Sequence, residues 1–172
     1  MNFFANVAFP WILGYEGGYN DDPQDRGNWT GGQVGVGILA GTKYGISAAA
    51  YPTLDIKNLT IADALPIAKA HYWDRISGDD LPAPIALCLF DFAYNAGDHE
   101  AIVVLQRALG VTQDGVLGPH TKSACSANDP LTVARAFTTA RLLAYTSMKE
   151  YPVYGVGWEA RANATLAKAL TC

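Results

Sequence analysis

Ile85-Ala-Leu-Cys-Leu-Phe-Asp91-Phe-Ala-Tyr-Asn95-Ala96, stopped by Gly97, is the stretch that decides the fold. Its side chains are apolar nearly all the way round, which predicts a central helix buried on every face. Two polar residues interrupt it, Asp91 and Asn95, spaced four apart and so on one face. On such a helix they read as a buried, hydrogen-bonded pair that holds the core together. Asn95 lies near the helix end, where an amide is also free to meet a ligand.

Working outward, further helices are expected on both sides. The first covers Phe3 to Tyr15, with Asn2 as a cap and Gly17 and Gly18 as its stop. Pro10 falls inside it and should kink it or start it afresh. Ser47 caps a short helix that ends before Pro52, and Thr60 with Asp63 forms a capping box opening a helix that reaches Ile76. Beyond Gly97, Asp98 begins a helix that ends at Gly110, and Pro119 starts a short one. Asp129-Pro130, a cap followed by proline at the first helical position, opens a helix running to Glu150. A last helix is predicted from Trp158 to Leu170, and Val111 to Pro119 reads as a turn-rich joint.

Residues 20–46 read differently. Gly27, Gly31, Gly32, Gly35, Gly37 and Gly41 crowd this segment, and Val34, Val36 and Ile38 alternate with two of them. That pattern predicts a short hairpin or a glycine-softened flap. It is not a phosphate loop, since no G-x-x-x-x-G-K-[ST] pattern is present. The expected fold class is mainly α, with a small glycine-rich β-hairpin or loop after the first helix, in a single domain over 1–172.

Composition narrows the function. Half the residues are hydrophobic and 16% are charged, as in a globular chain. The net charge of −4 and pI near 5.2 argue against a nucleic-acid binder, which would present a basic surface. Cys88, Cys125 and Cys172 form no C-x-x-C pattern, and Cys88 lies in an apolar run that predicts a buried free thiol. A Cys125–Cys172 bridge has no support in the spacing. His71, His99 and His120 are isolated, so no zinc site is expected. No apolar run reaches the roughly 20 residues that span a bilayer. Met1 to Leu13 lacks a basic leader and a cleavage site, so it reads as mature protein made in the cytoplasm without a signal peptide.

Carboxylates suggest the chemistry. Glu16 follows Trp11-Ile-Leu-Gly-Tyr15 and precedes Gly17-Gly18-Tyr19. A helix C-terminus carries about half a negative charge, which disfavours an ionised Glu there. Trp11, Tyr15 and Tyr19 are near enough in sequence to desolvate it, and both effects raise its pKa. A general acid needs that shift; a surface Glu with no task has the same local sequence. Asp22 and Asp25, in Asn20-Asp21-Asp22-Pro23-Gln24-Asp25, are candidates for a second, ionised carboxylate, although Asp-Pro is also ordinary turn chemistry. One carboxyl held neutral and one left ionised is what glycosidic-bond hydrolysis requires.

Glu16-Gly17-Gly18-Tyr19, the Asn20 to Asp25 segment and Thr42-Lys43-Tyr44-Gly45-Ile46 together resemble the signature of glycoside hydrolase family 108, whose members are N-acetylmuramidases, many of them phage endolysins. Tyr72-Trp73-Asp74, Leu81-Pro82 and Phe90 to Gly97 are similar to the family's middle section. Leu105 to Gly110, Asp114 to Pro119 and Gly157-Trp158 resemble the peptidoglycan-binding half common in such proteins.

The resemblance implies a lysozyme-like α+β fold with a catalytic half, 1–97, and a helical peptidoglycan-binding half, 98–172. It implies Glu16 as general acid, with Asp25 and Thr42 completing the catalytic set. Asp22, Tyr44 and Asn95 would bind substrate, Asn95 through the sugar's acetamido groups. One departure concerns the threonine: the glycine-rich segment separates Asp25 from Thr42. Thr30 fits the spacing of the Glu/Asp/Thr triad of phage-type lysozymes better, whereas Thr42 fits the flanking Tyr-Gly-Ile. Tyr44, Tyr94 and Trp29 are candidates for stacking on sugars, and Trp73 and Trp158 are assigned to the core. The implied partner is bacterial peptidoglycan, with no nucleic acid, no membrane insertion, no cofactor or metal, and a monomeric enzyme. A chain without a signal peptide would reach the wall by holin-type release or dedicated secretion.

Overall fold

The structure, a computed structural model, describes residues 2–15 and 18–172. Glu16, with Gly17, lies outside the described residues. The chain divides after Ala70 into two compact units, 1–70 and 71–172.

In the first unit, the Asn2 side chain accepts the Ala5 N–H at 3.1 Å, so the cap forms as expected. A π turn over Phe4–Ala8 leads into helix α1, Phe9–Leu13. Pro10 does not end the helix. Its missing N–H and its bulky ring are taken up by the wider turn before it, where the Phe9 N–H bonds to the Phe4 carbonyl. A 3-10 turn, Arg26–Asn28, follows. The strands β1, Thr42–Lys43, and β2, Ile46–Ser47, then pair antiparallel, with Thr42 opposite Ser47 and Lys43 opposite Ile46. Tyr44 and Gly45 form the two-residue turn, both at positive φ (53° and 72°), as a type I′ hairpin requires.

The strand pair therefore lies past the Val34-to-Ile38 segment. Positive φ at Gly35 and Gly37 breaks extended structure there and leaves Val34, Val36 and Ile38 exposed. That segment is a glycine-rich loop closed by the Thr30 N–H to the Ile38 carbonyl at 3.0 Å and by a single Trp29–Leu39 bridge. Ser47 starts one turn, with the Tyr51 N–H on its carbonyl. Helix α2, Ile61–Ala68, opens on the Thr60–Asp63 capping box. It passes into a π turn, Lys69–Trp73.

The second unit is built on α3, Ala83–Ala96, in which Pro84 through Ala93 are all buried. Burying Leu89, Phe90 or Phe92 is worth roughly 1.5–3 kcal/mol each relative to exposure. Around α3 pack α4, Asp98–Leu109, α6, Pro130–Thr146, and α7, Tyr151–Ala169, while α5, Pro119–Ala127, packs on α4 and α6. Two helix ends differ from expectation: α6 stops at Thr146 and α7 begins at Tyr151 rather than Trp158. Pro152 in the first turn of α7 is the start signal, and Gly155 and Gly157 lie inside the helix. The division at Ala70 places α3 in one unit with α4, α6 and α7.

Asp91 is fully buried on α3, and each of its oxygens takes a guanidinium: Oδ2 meets Arg141 of α6 at 2.7 Å and Oδ1 meets Arg161 of α7 at 2.9 Å. Gln106 organises the joint before α5. Its amide nitrogen donates to Asp114, to the Val116 carbonyl and to Thr121, and its oxygen accepts the Gly115 N–H. Trp73 is buried, edge-on to Phe90, with its Nε1 donating to Asp79 at 2.9 Å. The three cysteines are free, with Cys88 and Cys125 buried and Cys172 exposed. Among the described residues no helix is long and apolar enough to cross a membrane.

Candidate active site

Asp22, Asp25, Thr42 and Tyr44, the sequence-predicted residues of the first unit that the structure describes, lie on a loop and a hairpin that are bonded together. The segment after α1 runs back along the hairpin, where the Asn20 N–H donates to the Thr42 carbonyl at 2.9 Å and the Thr42 N–H returns to the Asn20 carbonyl at 2.8 Å. This reciprocal pair fixes Thr42 beside Asn20, where the chain leads on to Asp22 and Asp25. Gly41 permits the approach: a Cβ there would stand 2.5 Å from the Tyr19 ring and 2.7 Å from the Asn20 carbonyl, at a φ of 83°. Tyr19 is half-buried, and its hydroxyl pKa is raised by burial first, then by Asp21 and Asp55.

Asp22 and Asp25 are exposed and each shapes its own turn. Asp22 Oδ1 accepts the Gln24 N–H at 2.9 Å, and Asp25 Oδ1 accepts the Gly27 N–H at 2.8 Å as the cap of the 3-10 turn. Two residues hold this loop in place. Trp29 donates its indole N–H to the Pro23 carbonyl at 3.0 Å, so it is a loop anchor. Asn28 is buried; its side-chain amide nitrogen donates to the Asp22 carbonyl, and its backbone carbonyl accepts the Ala40 and Gly41 N–H groups. Asn28 thus ties the carboxylate loop to the chain entering β1. Sequence reasoning missed it, since a lone Asn in a glycine-rich segment reads only as turn chemistry.

The two threonines differ in what they do. The Thr30 hydroxyl accepts the Ile38 N–H at 2.9 Å and presses against Gly37, where a Cβ would approach it to 2.3 Å. It is committed to closing the glycine-rich loop. Thr42 is half-buried, and among the described residues its hydroxyl makes no hydrogen bond. Tyr44, half-buried at the hairpin tip, has Lys43 Nζ 5.3 Å from its ring centroid.

In the second unit, Asn95 is exposed at the end of α3, with its amide nitrogen donating to the Asp91 carbonyl at 2.7 Å. It borders a cavity of about 650 Å³ together with Trp158. Trp158 is therefore half-exposed against Tyr145 and Tyr154 and is not a core residue as expected. Tyr94 packs on Tyr72 at 4.2 Å and on Phe90 at 5.6 Å between centroids. No group of three His, Cys, Asp or Glu among the described residues could hold a metal ion.

Residues 9–97 match the glycosyl hydrolase 108 family, a span containing every one of the catalytic and substrate-binding candidates. No curated protein matches the chain. Among solved structures, that of Brucella abortus SagA is similar at 32% identity with a TM-score of 0.79, covering 98% of this chain and 94% of that one. The mainly helical architecture with its small antiparallel pair is the lysozyme-like α+β class. On the family match and the similarity over nearly its full length, the chain belongs to glycosyl hydrolase family 108 and is a glycoside hydrolase.

Proposed function

We propose that this glycoside hydrolase cuts bacterial peptidoglycan, as an N-acetylmuramidase acting on the β-1,4 bond between N-acetylmuramic acid and N-acetylglucosamine. Glu16 protonates the leaving oxygen, while Asp25 with Thr42 positions and activates the water. Asp22, Tyr44 and Asn95 contact the glycan, Asn95 through an acetamido group. The helical region 98–172 contributes wall binding, and the enzyme reaches the wall by release or dedicated secretion.

The observation that carries this reading is the Asn20–Thr42 pair, which brings the threonine's backbone against the segment joining the two acids. A hydroxyl both donates and accepts, so Thr42 can take one bond from the water and give one to a carboxylate. Thr30 is spent on Ile38, which favours Thr42.

The test is reducing-end release from purified peptidoglycan by the wild type and Glu16→Gln, with mass spectrometry of the products. Muropeptides ending in reducing N-acetylmuramic acid, lost in a folded Glu16→Gln protein, are expected. A 1,6-anhydro end would instead mean a lytic transglycosylase. Full lysis by folded Glu16→Gln would overturn the assignment of the acid, and wall binding without release by the wild type would leave only a binding module.

A further inference from the structure

One polar atom of Asn28 has no partner, which sets this residue apart from an ordinary loop anchor. Asn28 is 0% exposed. Its backbone is fully bonded: the N–H donates to the Asp25 carbonyl at 3.1 Å, and the carbonyl accepts the Ala40 and Gly41 N–H groups at 2.9 and 3.0 Å. Its side-chain Nδ2 donates to the Asp22 carbonyl at 3.0 Å, whereas Oδ1 is buried and, among the described residues, unpartnered. A buried acceptor left unpaired works against folding, so stability alone does not favour an amide here. Functional positions are where proteins accept such a loss.

The amide secures the carbonyl on which the Asp25 turn is built. The Asp22 carbonyl also accepts the Asp25 N–H at 3.1 Å, so the two donors meet on one oxygen. The turn is exposed and carries three carboxylates, Asp21, Asp22 and Asp25, whose mutual repulsion favours its opening. We propose that Asn28 is a positioning residue for the hydrolytic step: it locks the Asp25 turn to the chain entering β1 at Gly41, one residue before Thr42. This rests on the reading that Asp25 and Thr42 act on the water. A misplacement of about 1 Å at a reacting group can cost about 10²-fold in rate. Being fully buried, Asn28 acts on rate and not on glycan affinity.

The full chain is tested by steady-state release of reducing ends from solubilised peptidoglycan, with melting followed by circular dichroism. Asn28→Leu nearly keeps the shape, removes the donor and also removes the unpaired acceptor. Its kcat should fall by about tenfold or more at unchanged KM, with Tm close to that of the wild type. In an Asp25→Asn background, Asn28→Leu should reduce the residual kcat no further, because it acts through Asp25. Asn28→Asp donates to the Asp22 carbonyl only while its carboxyl is protonated, so its kcat relative to wild type should be highest at low pH and fall as pH rises. A folded Asn28→Leu protein with wild-type kcat, a loss confined to KM, or losses that multiply in the double variant would each overturn the proposal. If Asn28→Leu does not fold, an Asn28→Asp ratio that stays low at every pH overturns it. A wild type that releases no reducing ends, or an Asp25→Asn protein with wild-type kcat, sinks the underlying reading of the site and the proposal with it.

Discussion

Asp91→Asn is the substitution whose cost follows most directly from the geometry. The carboxylate is fully buried, and its two oxygens face two guanidinium groups at 2.7 and 2.9 Å, one from α6 and one from α7. An amide of the same shape offers one acceptor where there were two, and its NH₂ would point at a guanidinium. The attraction that repays desolvation of both arginines disappears while the arginines stay in place. Removing one partner of a buried ion pair costs about 3–5 kcal/mol. Whole-domain stability is roughly 5–15 kcal/mol, so the loss is a large share of it. At roughly 2–4 °C per kcal/mol for a chain of this size, Tm should fall by roughly 6–20 °C. Urea titration by circular dichroism, read for midpoint and slope, measures this directly. A cost for Asp91→Asn below about 1 kcal/mol, the range of an exposed pair, would refute the argument that these charges are buried and mutually dependent.

Other outcomes follow from individual contacts. Thr42→Val keeps the shape and removes the hydroxyl, so kcat should fall by about 10²-fold or more at nearly unchanged Tm. Thr30→Val should cost about 0.5–1.5 kcal/mol in stability with kcat largely kept; the reverse pattern in steady-state kinetics and melting would make Thr30 the catalytic residue. Burial pushes the Cys88 thiol up to about 12 and the Cys125 thiol to about 11. A thiol reagent should therefore modify only Cys172 quickly in the native protein and all three in denaturant, and fast labelling of Cys88 would contradict its burial. Hydrogen bonds hold the carboxyls of Asp63, Asp114 and Asp129 below the usual range, first from Thr60, Gln106 and Thr132 respectively. Depressed carboxyls stabilise the fold above their unfolded pKa, about 3.9, and that stability is lost as pH falls through the lower folded values. Tm should accordingly hold between pH 7 and 5 and drop below about pH 4; a Tm constant down to pH 3 would contradict those bonds.

How much of this was legible in the sequence depends on whether a signal was local. The α3 helix was readable because ten successive buried positions leave no polar face, a pattern that only a central helix satisfies. The Thr60–Asp63 box was readable because both partners lie within one turn. The start of α7 was not readable, since Gly155 and Gly157 lower helix propensity. The helix persists because its packing on α3 and α6 outweighs propensity, and within it the Tyr151 ring covers Gly155, where a Cβ would stand 2.6 Å away. Asn28 and Gln106 were invisible for the same reason in reverse. Each makes its bonds to residues 6 to 15 positions away, and a lone amide carries no periodicity to announce them. The threonine choice shows what the site itself required. Spacing pointed to Thr30 and motif context to Thr42, and no sequence argument separates those two. The Ile38 N–H on the Thr30 hydroxyl gives that side chain a structural task, whereas the Asn20–Thr42 pair uses only the backbone of Thr42, which is why the proposed chemistry is given to Thr42. A loop inserted between an acid and its threonine changes their separation in sequence at little cost in free energy. The backbone pair sets Thr42 beside Asn20 whatever the length of the loop between them, so spacing is the weaker guide wherever an insertion is closed by its own hydrogen bonds.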